Sequence, residues 1–202
     1  MQEQTRRRPN RERSDESRAK LLAAARDLFI EKGYAATGTP EIVAAAGLTR
    51  GALYHHFADK EALFRAVITA EAAAVAADIE DEAAGSADVF EALINGGKAF
   101  LSAMTVPGRA RLLLLDGPAV LGRSAMDEID MEHGGRTLFE GLTAAMETGQ
   151  IIQVPAEPMA ALLSAAFDRT ALAIAEGGDA EAYHEVLELL LERLRPETGH
   201  TS

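Results

Sequence analysis

Apolar residues recur at intervals of three and four along most of the chain, and short polar or glycine-containing segments separate these runs. The first run ends at Gly33 and places on one helix face Leu21, Ala25, Leu28 and Phe29. Similar stripes follow over residues 64–79, 90–104, 159–174 and 183–194. No run alternates with the two-residue period of a strand. The pattern predicts an all-α protein of about nine helices.

Proline, glycine and capping residues predict where several of these helices begin and end. Asp59 is expected to cap a fourth helix that continues to about Ala83. A short apolar helix over residues 109–116 is expected to close at Gly117-Pro118, because proline lacks the amide hydrogen that a helix interior needs. A seventh helical stretch covers residues 122–148, although internal glycines weaken it.

Two short helices with a glycine-containing turn between them are predicted after Gly33. Thr39 is expected to be the N-cap of the earlier one, with Pro40 in its first helical position, and Thr37 is the competing cap. A glycine ends this helix, and Thr49 caps the next. This arrangement is a helix-turn-helix, whose second helix enters the major groove of DNA.

At residues 18–64 the sequence resembles the N-terminal domain of the tetracycline-repressor (TetR) family. The string AKLLAAARDLFIEKGYAATGTPEIVAAAGLTRGALYHHFADKEALF runs through this region without a gap. Its matching landmarks are Ala25, Leu28, Phe29, Gly33-Tyr34, Thr37, Ile42, Ala46-Gly47, Gly51, Leu53-Tyr54, Phe57, Lys60, Leu63 and Phe64. Two positions depart from the family pattern: Pro40 replaces a residue that is often basic or polar, and Val43 replaces a common alanine.

The resemblance implies a homodimeric, all-helical transcription regulator with two functional regions. It would bind a palindromic operator in double-stranded DNA through two N-terminal domains. A small-molecule effector in the C-terminal domain would then release the DNA, and the helix over residues 60–83 would carry the movement. An activator, or a regulator that needs no effector, is the alternative. In domain terms we expect a basic flexible arm at 1–14, a helix-turn-helix domain at 15–60 with its motif at about 38–57, an effector-binding and dimerisation domain at 61–196, and a flexible tail at 197–202.

The charge is distributed unevenly between these regions. The 202-residue chain has a formal net charge of −12, yet residues 1–64 hold 11 Lys or Arg and 9 Asp or Glu, whereas the remainder holds 9 and 23. Charges further apart than the Debye length, about 8 Å in physiological salt, are largely screened from one another. The acidic remainder is therefore compatible with DNA binding by the N-terminal region. The arginine-rich arm is expected to add unspecific affinity for DNA, and entry into a minor groove is the alternative.

The residue inventory disfavours an enzyme. The chain contains no cysteine, no glycine-rich phosphate loop and no metal-spaced set of histidines and carboxylates. His55 and His56 are adjacent, and neighbouring helical side chains point about 100° apart, so the pair would chelate a metal poorly. We expect no catalysis, no cofactor and no metal. No apolar run approaches the roughly 18 residues that a membrane span needs, which favours a soluble cytoplasmic protein.

The side chains expected to contact DNA lie mostly at the start of the second motif helix. Thr49 can offer its hydroxyl and the helix amides to a phosphate, and Arg50 can bind guanine in a bidentate manner. Gly51 allows close approach, and the Ala52 methyl can touch a thymine methyl. The resemblance adds Lys60, which matches a family lysine that meets a phosphate. The full predicted set is Thr37, Thr39, Thr49, Arg50, Gly51, Ala52, Tyr54, His55 and Lys60.

The C-terminal region is expected to hold an effector pocket and a dimer interface. Ligand sites in helical bundles form between helices, from apolar walls and a few polar groups. The predicted pocket residues are Phe100, Met104, Leu112, Asp116, Met126, Phe139, Leu142, Phe167 and Thr170, each of which is alternatively a core residue or, for Asp116, a surface acid. The last two apolar stripes correspond to the family's interface helices. The predicted dimer-interface residues on them are Leu162, Ala166, Tyr183, Leu187, Leu190, Leu191 and Leu194. The alternative is that these stripes face only their own subunit's core.

Overall fold

A computed structural model describes residues 10–196, and in that part of the chain every regular element is helical. The predicted all-α class is therefore confirmed. The chain folds into two compact units, with the boundary between Ile68 and Thr69. The predicted tail at 197–202 and the first nine residues of the predicted arm lie outside the described residues.

The N-terminal unit contains α1 (Asn10–Ala36), α2 (Thr39–Ala45), α3 (Arg50–His56) and the beginning of α4 (Lys60–Ala83). Helix α1 begins within the segment predicted to be a flexible arm. Arg and Glu are good helix formers, and a Glu16–Lys20 pair one turn apart, with 2.9 Å between Oε1 and Nζ, supports this first part of the helix. At Gly33 the backbone has φ of 80° and ψ of 164°, which interrupts α1 at the predicted stop.

The caps of the two motif helices differ from each other. Thr49 caps α3 as expected, and its Oγ1 accepts a hydrogen bond of 3.2 Å from the Ala52 amide. The predicted cap at Thr39 is wrong, since Gly38 occupies the N-cap of α2 and makes no side-chain cap. Thr39 is instead the first helical residue, and the hydroxyl of Thr37 turns inward to other carbonyls.

A small apolar core joins the helices of the N-terminal unit. Eight apolar side chains of this unit are fully buried, namely Leu21, Ala25, Phe29, Ile42, Leu53, Leu63, Phe64 and Ile68. Phe29 packs edge-to-face on Phe64, with 5.1 Å between ring centroids and 84° between ring planes. Because α1, α2, α3 and α4 each contribute to this core, the orientation of α3 is fixed by burial of apolar surface rather than by its own seven residues.

The C-terminal unit contains the rest of α4 and a bundle of further helices. These are α5 (Val89–Met104), α6 (Arg109–Arg111), a π-helical turn (Leu112–Asp116), α7 (Gly117–Leu121), α8 (Arg123–Glu132), α9 (Gly134–Glu147), α10 (Ala156–Ala175) and α11 (Ala180–Glu192). Helix α10 packs against α5 and α9. It is the one described helix whose length and composition would suit a membrane span, although it carries Asp168 and Arg169.

The helix predicted to close at Gly117-Pro118 continues to Leu121. A π-helical turn explains this difference, because the Gly117 amide donates to the Leu112 carbonyl five residues back and widens the turn before Pro118. Glycine is needed there for close approach. A Cβ on Gly117 would lie 3.0 Å from the Leu112 carbonyl oxygen and 2.8 Å from the Met126 sulfur.

The stretch predicted as one helix over residues 122–148 is divided at His133 into α8 and α9. The backbone of His133 has φ of −131° and ψ of −109°, outside the helical region. The Asp130 carboxylate accepts a hydrogen bond from the Gly135 amide, which caps the beginning of α9. A Cβ on Gly135 would lie 2.4 Å from Asp130 Oδ2, so this contact depends on the glycine.

A buried ion pair fixes the α5–α6 connection against the later part of α4. Arg109 Nε donates to Glu71 Oε2 at 2.9 Å, and Arg109 Nη1 donates to the Ala103 carbonyl at 2.9 Å. Both charged residues are 8% exposed. Asp78 Oδ2 lies 3.7 Å from the same guanidinium. Removal of one member of such a pair leaves an uncompensated buried charge.

We expect Arg109→Met to destabilise the protein by about 3–5 kcal/mol, because it breaks the buried ion pair with Glu71. Chemical unfolding followed by circular dichroism measures the loss. The matched control is Lys98→Met, which removes a pair with Glu188 whose members are 50% and 44% exposed and should cost no more than about 1 kcal/mol. Equal losses in the two variants would contradict the role of the buried pair.

Candidate nucleic-acid interface

Helix α3 presents a polar face to solvent and an apolar face to the core of the N-terminal unit. Leu53 is fully buried and Phe57, just after the helix, is 6% exposed. The other residues predicted at α3 to contact DNA lie on the opposite side. Ala52 is half-buried there, and the exposed residues are Thr49, Arg50, Gly51, Tyr54 and His55. One face of a short helix therefore carries a hydroxyl, a guanidinium, a phenol and an imidazole.

Arg50, Tyr54 and Thr39 form a polar network between α2 and α3. The Arg50 guanidinium carbon lies 5.4 Å from the centroid of the Tyr54 ring, within cation–π range. Hydrogen bonding to Thr39, and then to Arg50, lowers the pKa of the Tyr54 phenol. The network orders the one long basic side chain of α3 before any DNA is present.

Two predicted contact residues are engaged inside the N-terminal unit instead. Thr37 is 1% exposed, and its hydroxyl lies 2.8 Å from the Gly33 carbonyl oxygen and 3.1 Å from that of Leu28. The expectation that its side chain faces DNA is therefore corrected. The Lys60 ammonium donates to the carbonyls of Tyr34 at 2.9 Å and Thr37 at 3.1 Å. Nothing in the sequence indicates these internal contacts of Lys60, because its position in the family motif predicts a phosphate contact.

Some contacts that fix neighbouring helices have no signal in the sequence pattern. Lys32 at the end of α1 pairs with Glu41 in α2, which raises the pKa of Lys32. The Arg18 guanidinium carbon lies 5.5 Å from the centroid of the Phe57 ring. His56 lies behind the exposed face, and burial, followed by the nearby His55 and Arg18, lowers its pKa. The lowered pKa favours the neutral form of His56, which suits packing.

Comparison with known families decides the identity of this arrangement. The model described as "Bacterial regulatory proteins, tetR family" matches residues 21–67, and the model "Tetracyclin repressor-like, C-terminal domain" matches residues 90–195, more than half of the chain. The chain belongs to the TetR family. It is a DNA-binding transcriptional regulator rather than an enzyme.

Individual relatives match either the whole chain or only its N-terminal unit, which is called the head from here on. The crystal structure of a TetR-family regulator from Pectobacterium atrosepticum has 33% identity and a TM-score of 0.75, covering 94% of this chain and 99% of that one. The transcriptional repressor AcnR of Corynebacterium glutamicum is 27% identical over 86% of this chain and 90% of its own. The transcriptional activator FasR of Mycolicibacterium smegmatis is 45% identical over 62 residues, which cover 31% of this chain and 28% of FasR.

Most side chains predicted to line an effector pocket of this TetR-family protein fill the core of the C-terminal unit. The buried ones are Met104, Leu112, Leu142, Phe167 and Thr170, and the half-buried ones are Phe100, Met126 and Phe139. Phe100 and Phe167 pack edge-to-face at 5.8 Å. Asp116 Oδ2 lies 3.3 Å from Arg111 Nε, an ion pair next to its own helix turn.

A cleft lies between α5, α10 and α11. Of the residues predicted to line the effector pocket, only Phe167 lines this cleft. Its volume is about 230 Å³ with the open space at its mouth included, and its lining residues are Ile94, Gly97, Lys98, Leu101, Phe167, His184, Leu187, Glu188 and Leu191. His184 Nε2 is buried there and has no hydrogen-bond partner in the described part of the chain. Lys98 Nζ pairs with Glu188 Oε2 at 3.1 Å. Periodicity placed these residues on helices but gave no sign that they share a cleft.

The residues predicted for the dimer interface separate into exposed and buried groups. Leu162 is 71% exposed, Leu190 49% and Tyr183 37%, whereas Ala166 and Leu194 are half-buried. Leu187 and Leu191 are 6% and 3% exposed, and they line the cleft in their own subunit. Their assignment to the interface is therefore corrected. Val186 and Leu189 are exposed on α11 and were not among the predicted interface residues.

The contacts of two of the three tyrosines predict shifted ionisation steps in the folded protein. We expect Tyr54 to ionise below the ordinary tyrosine pKa of 10.0, because its hydrogen bonds favour the phenolate. We expect Tyr34 to ionise above it, because burial, and then Glu61 and Asp59, disfavour the charged form. Ultraviolet absorbance titration measures both steps.

Matched substitutions assign these two tyrosine steps. Tyr54→Phe should remove only the lower step, and Tyr34→Phe only the higher one. An unchanged low-pH step in Tyr54→Phe would contradict the Thr39–Tyr54–Arg50 network. The native state gains stability from the lowered Tyr54 pKa only as the pH rises into the range where the phenol ionises.

Proposed function

We propose that this TetR-family regulator is a homodimeric repressor that binds a palindromic operator and leaves it when a small molecule binds its C-terminal unit. The observation that carries the proposal is the division of α3 into an exposed polar face and a buried apolar face. We place the protein in the cytoplasm, where it has access to chromosomal DNA. The activator FasR matches the head alone, so an activator remains the second candidate.

In the proposed complex, α3 enters the major groove with its N-terminus first. Thr49 and the amides at the beginning of the helix bind phosphate, which fixes the position of the protein on the duplex. Arg50, already held against Tyr54, binds a base edge, and guanine is its commonest partner. Ala52 and Gly51 allow close approach, while Tyr54, His55 and Thr39 contact the backbone beside it.

We infer that the effector binds in the cleft between α5, α10 and α11. The enclosed space of this cleft is only about 10 Å³, whereas typical ligand pockets have volumes of about 300–1,000 Å³, so a ligand of ordinary size requires the cleft to widen. The Phe167 ring is the side chain best placed to move, because it lies against Gly97, where a Cβ would approach its Cζ to 2.8 Å. Apolar walls beside His184, Lys98 and Glu188 suit an amphipathic molecule with an apolar body and one hydrogen-bonding end.

We infer that the dimer forms through the exposed apolar side chains of α10 and α11. Leu162, Val186 and Leu190 are each about half exposed or more, and clustered exposed leucines are typical of protein interfaces. Two copies related by a two-fold axis would bury the same surface on both subunits. The two heads would then read half-sites about 34 Å apart, one turn of DNA.

Selection of bound fragments from a random DNA pool tests the operator proposal. We expect a palindromic consensus, and Arg50→Ala should weaken binding to it by about 1–3 kcal/mol while binding to unrelated DNA changes little. The matched control, Arg193→Ala, removes an exposed arginine of the C-terminal unit and should leave operator affinity unchanged. Compounds that release the selected DNA identify effectors. Enrichment of no sequence, or equal losses for the two arginines, would contradict the proposal.

Glutamate substitutions at the exposed apolar positions test the dimer proposal. We expect Leu162→Glu with Leu190→Glu to give a monomer in analytical ultracentrifugation, because charges buried at an interface without partners are strongly unfavourable. Met131→Glu, at a residue of α8 that is 56% exposed, is the matched control and should stay dimeric. A double variant that sediments as a dimer would place the interface elsewhere.

A further inference from the structure

The first turn of α2 lacks the side-chain cap that fixes the beginning of α3. Its N-cap is Gly38, which offers no side chain, and Pro40 has no amide hydrogen. The Glu41 and Ile42 amides donate to the Gly38 carbonyl at 3.1 and 3.2 Å. Burial of Ile42 fixes the following turn. A helix of seven residues is too short to be stable by itself, so contacts from outside α2 help to orient its first turn.

Lys32, at the end of α1, reaches across the Gly33 break to this first turn. Its ammonium donates to the Glu41 carboxylate, nine residues later in the chain. The two side chains are 36% and 40% exposed, so the pair lies at the protein surface. The hydrogen bond to Glu41 is the largest cause of the raised pKa of Lys32. The pair therefore ties the end of one helix to the beginning of the next.

The same turn of α2 carries the residue that orders the reading helix. Thr39 hydrogen-bonds to the Tyr54 phenol, and the Tyr54 ring lies 5.4 Å from the guanidinium carbon of Arg50. Glu41 follows Thr39 by two residues in this turn. A displacement of the turn would move Thr39 away from Tyr54, and Arg50 would lose the ring that is held in place for it.

The charge of Glu41 is by itself unfavourable for DNA binding. In a helix-turn-helix the first helix crosses the DNA backbone, and here that helix is α2. A carboxylate on it opposes the approach of phosphates. Within the protein the same carboxylate is favourable, because it lies near the positive end of the α2 dipole and pairs with Lys32.

We propose that the Lys32–Glu41 pair positions the first turn of α2 for specific DNA recognition. Through this turn the pair keeps Thr39 in contact with Tyr54. The inference rests on the proposed operator binding. It concerns the contact between the two side chains, and the direct effect of each charge on DNA is separate from it.

The ratio of affinity for the selected operator to affinity for unrelated DNA tests this role. Loss of a charge alone changes both affinities in proportion, whereas loss of positioning weakens only the operator complex. We expect the ratio to fall about two- to fivefold in Glu41→Met and in Lys32→Met. The double variant should show no further fall, because both substitutions remove the same contact. An unchanged ratio, or two losses that add, would overturn the proposal.

Two further variants are the controls for this binding experiment. Glu31→Met removes the same charge beside Lys32, where Glu31 acts only through a weaker coulombic effect, and the ratio should stay at the wild-type value. Lys32→Arg retains a cation for Glu41 and should also keep the ratio. A fall in Glu31→Met equal to that in Glu41→Met would assign the effect to charge and exclude the positioning role.

Titration of Tyr54 tests the proposal in the free protein. Removal of the Glu41 charge by itself can only lower the phenol pKa or leave it unchanged. Loss of the Thr39 hydrogen bond raises that pKa, because this bond is the largest cause of its lowering. We therefore expect a higher Tyr54 pKa in Glu41→Met and the wild-type value in Glu31→Met.

A merely structural role of the pair would lower the unfolding temperature of Glu41→Met and leave the Tyr54 pKa unchanged. That outcome, or a lower pKa, would refute the positioning role. Failure of the wild type to select any operator would count against the proposed function alone, since the titration requires no DNA.

Discussion

The edge-to-face packing of Phe29 on Phe64 is the contact on which the geometry of the head depends. It joins α1 to α4 at 5.1 Å, and Tyr34 packs on both rings. Helices of seven residues are too short to be stable by themselves in water. Helices α2 and α3 therefore take their orientation from packing within the N-terminal unit, where Ile42 and Leu53 are fully buried.

The same cluster links packing to electrostatics. Tyr34 presents its ring to the Lys60 ammonium, and its own carbonyl accepts from that ammonium. The partly buried lysine is thus surrounded by a π face and backbone dipoles rather than by a carboxylate. A carboxylate at this place would add negative charge to a surface that must approach phosphates. Neutral partners satisfy the lysine and preserve the small positive balance of residues 1–64, on which affinity for DNA at short range depends.

The helices, the motif and the exposed face of α3 could be predicted from the sequence, because they follow from local periodicity and capping. Thr49 caps α3 and Asp59 caps α4, where a short-range hydrogen bond decides the conformation. The roles of Thr37 and Lys60 could not be predicted in this way. Their partners are carbonyls that only the folded turn brings together, and for Lys60 they lie 23 and 26 residues away. The π-helical turn before Pro118 likewise depends on a backbone shift that composition does not encode.

In the C-terminal unit, the sequence pattern could not separate core, pocket and interface residues. An apolar position on a helix follows the same periodicity in all three. Leu187 and Leu190 belong to the same stripe of α11, yet the first is 6% exposed and the second 49%. Side chains three residues apart lie only about 60° apart around the helix axis, so a small angular difference at the edge of the stripe separates a buried position from an exposed one. A ligand that widens the cleft would press on Leu187 and Leu191 from within, and the outer face of the same helix carries Val186 and Leu190. The proposed effector site and the proposed dimer interface would thus share one helix, which is the coupling that a ligand needs if it is to favour one arrangement of the dimer over another.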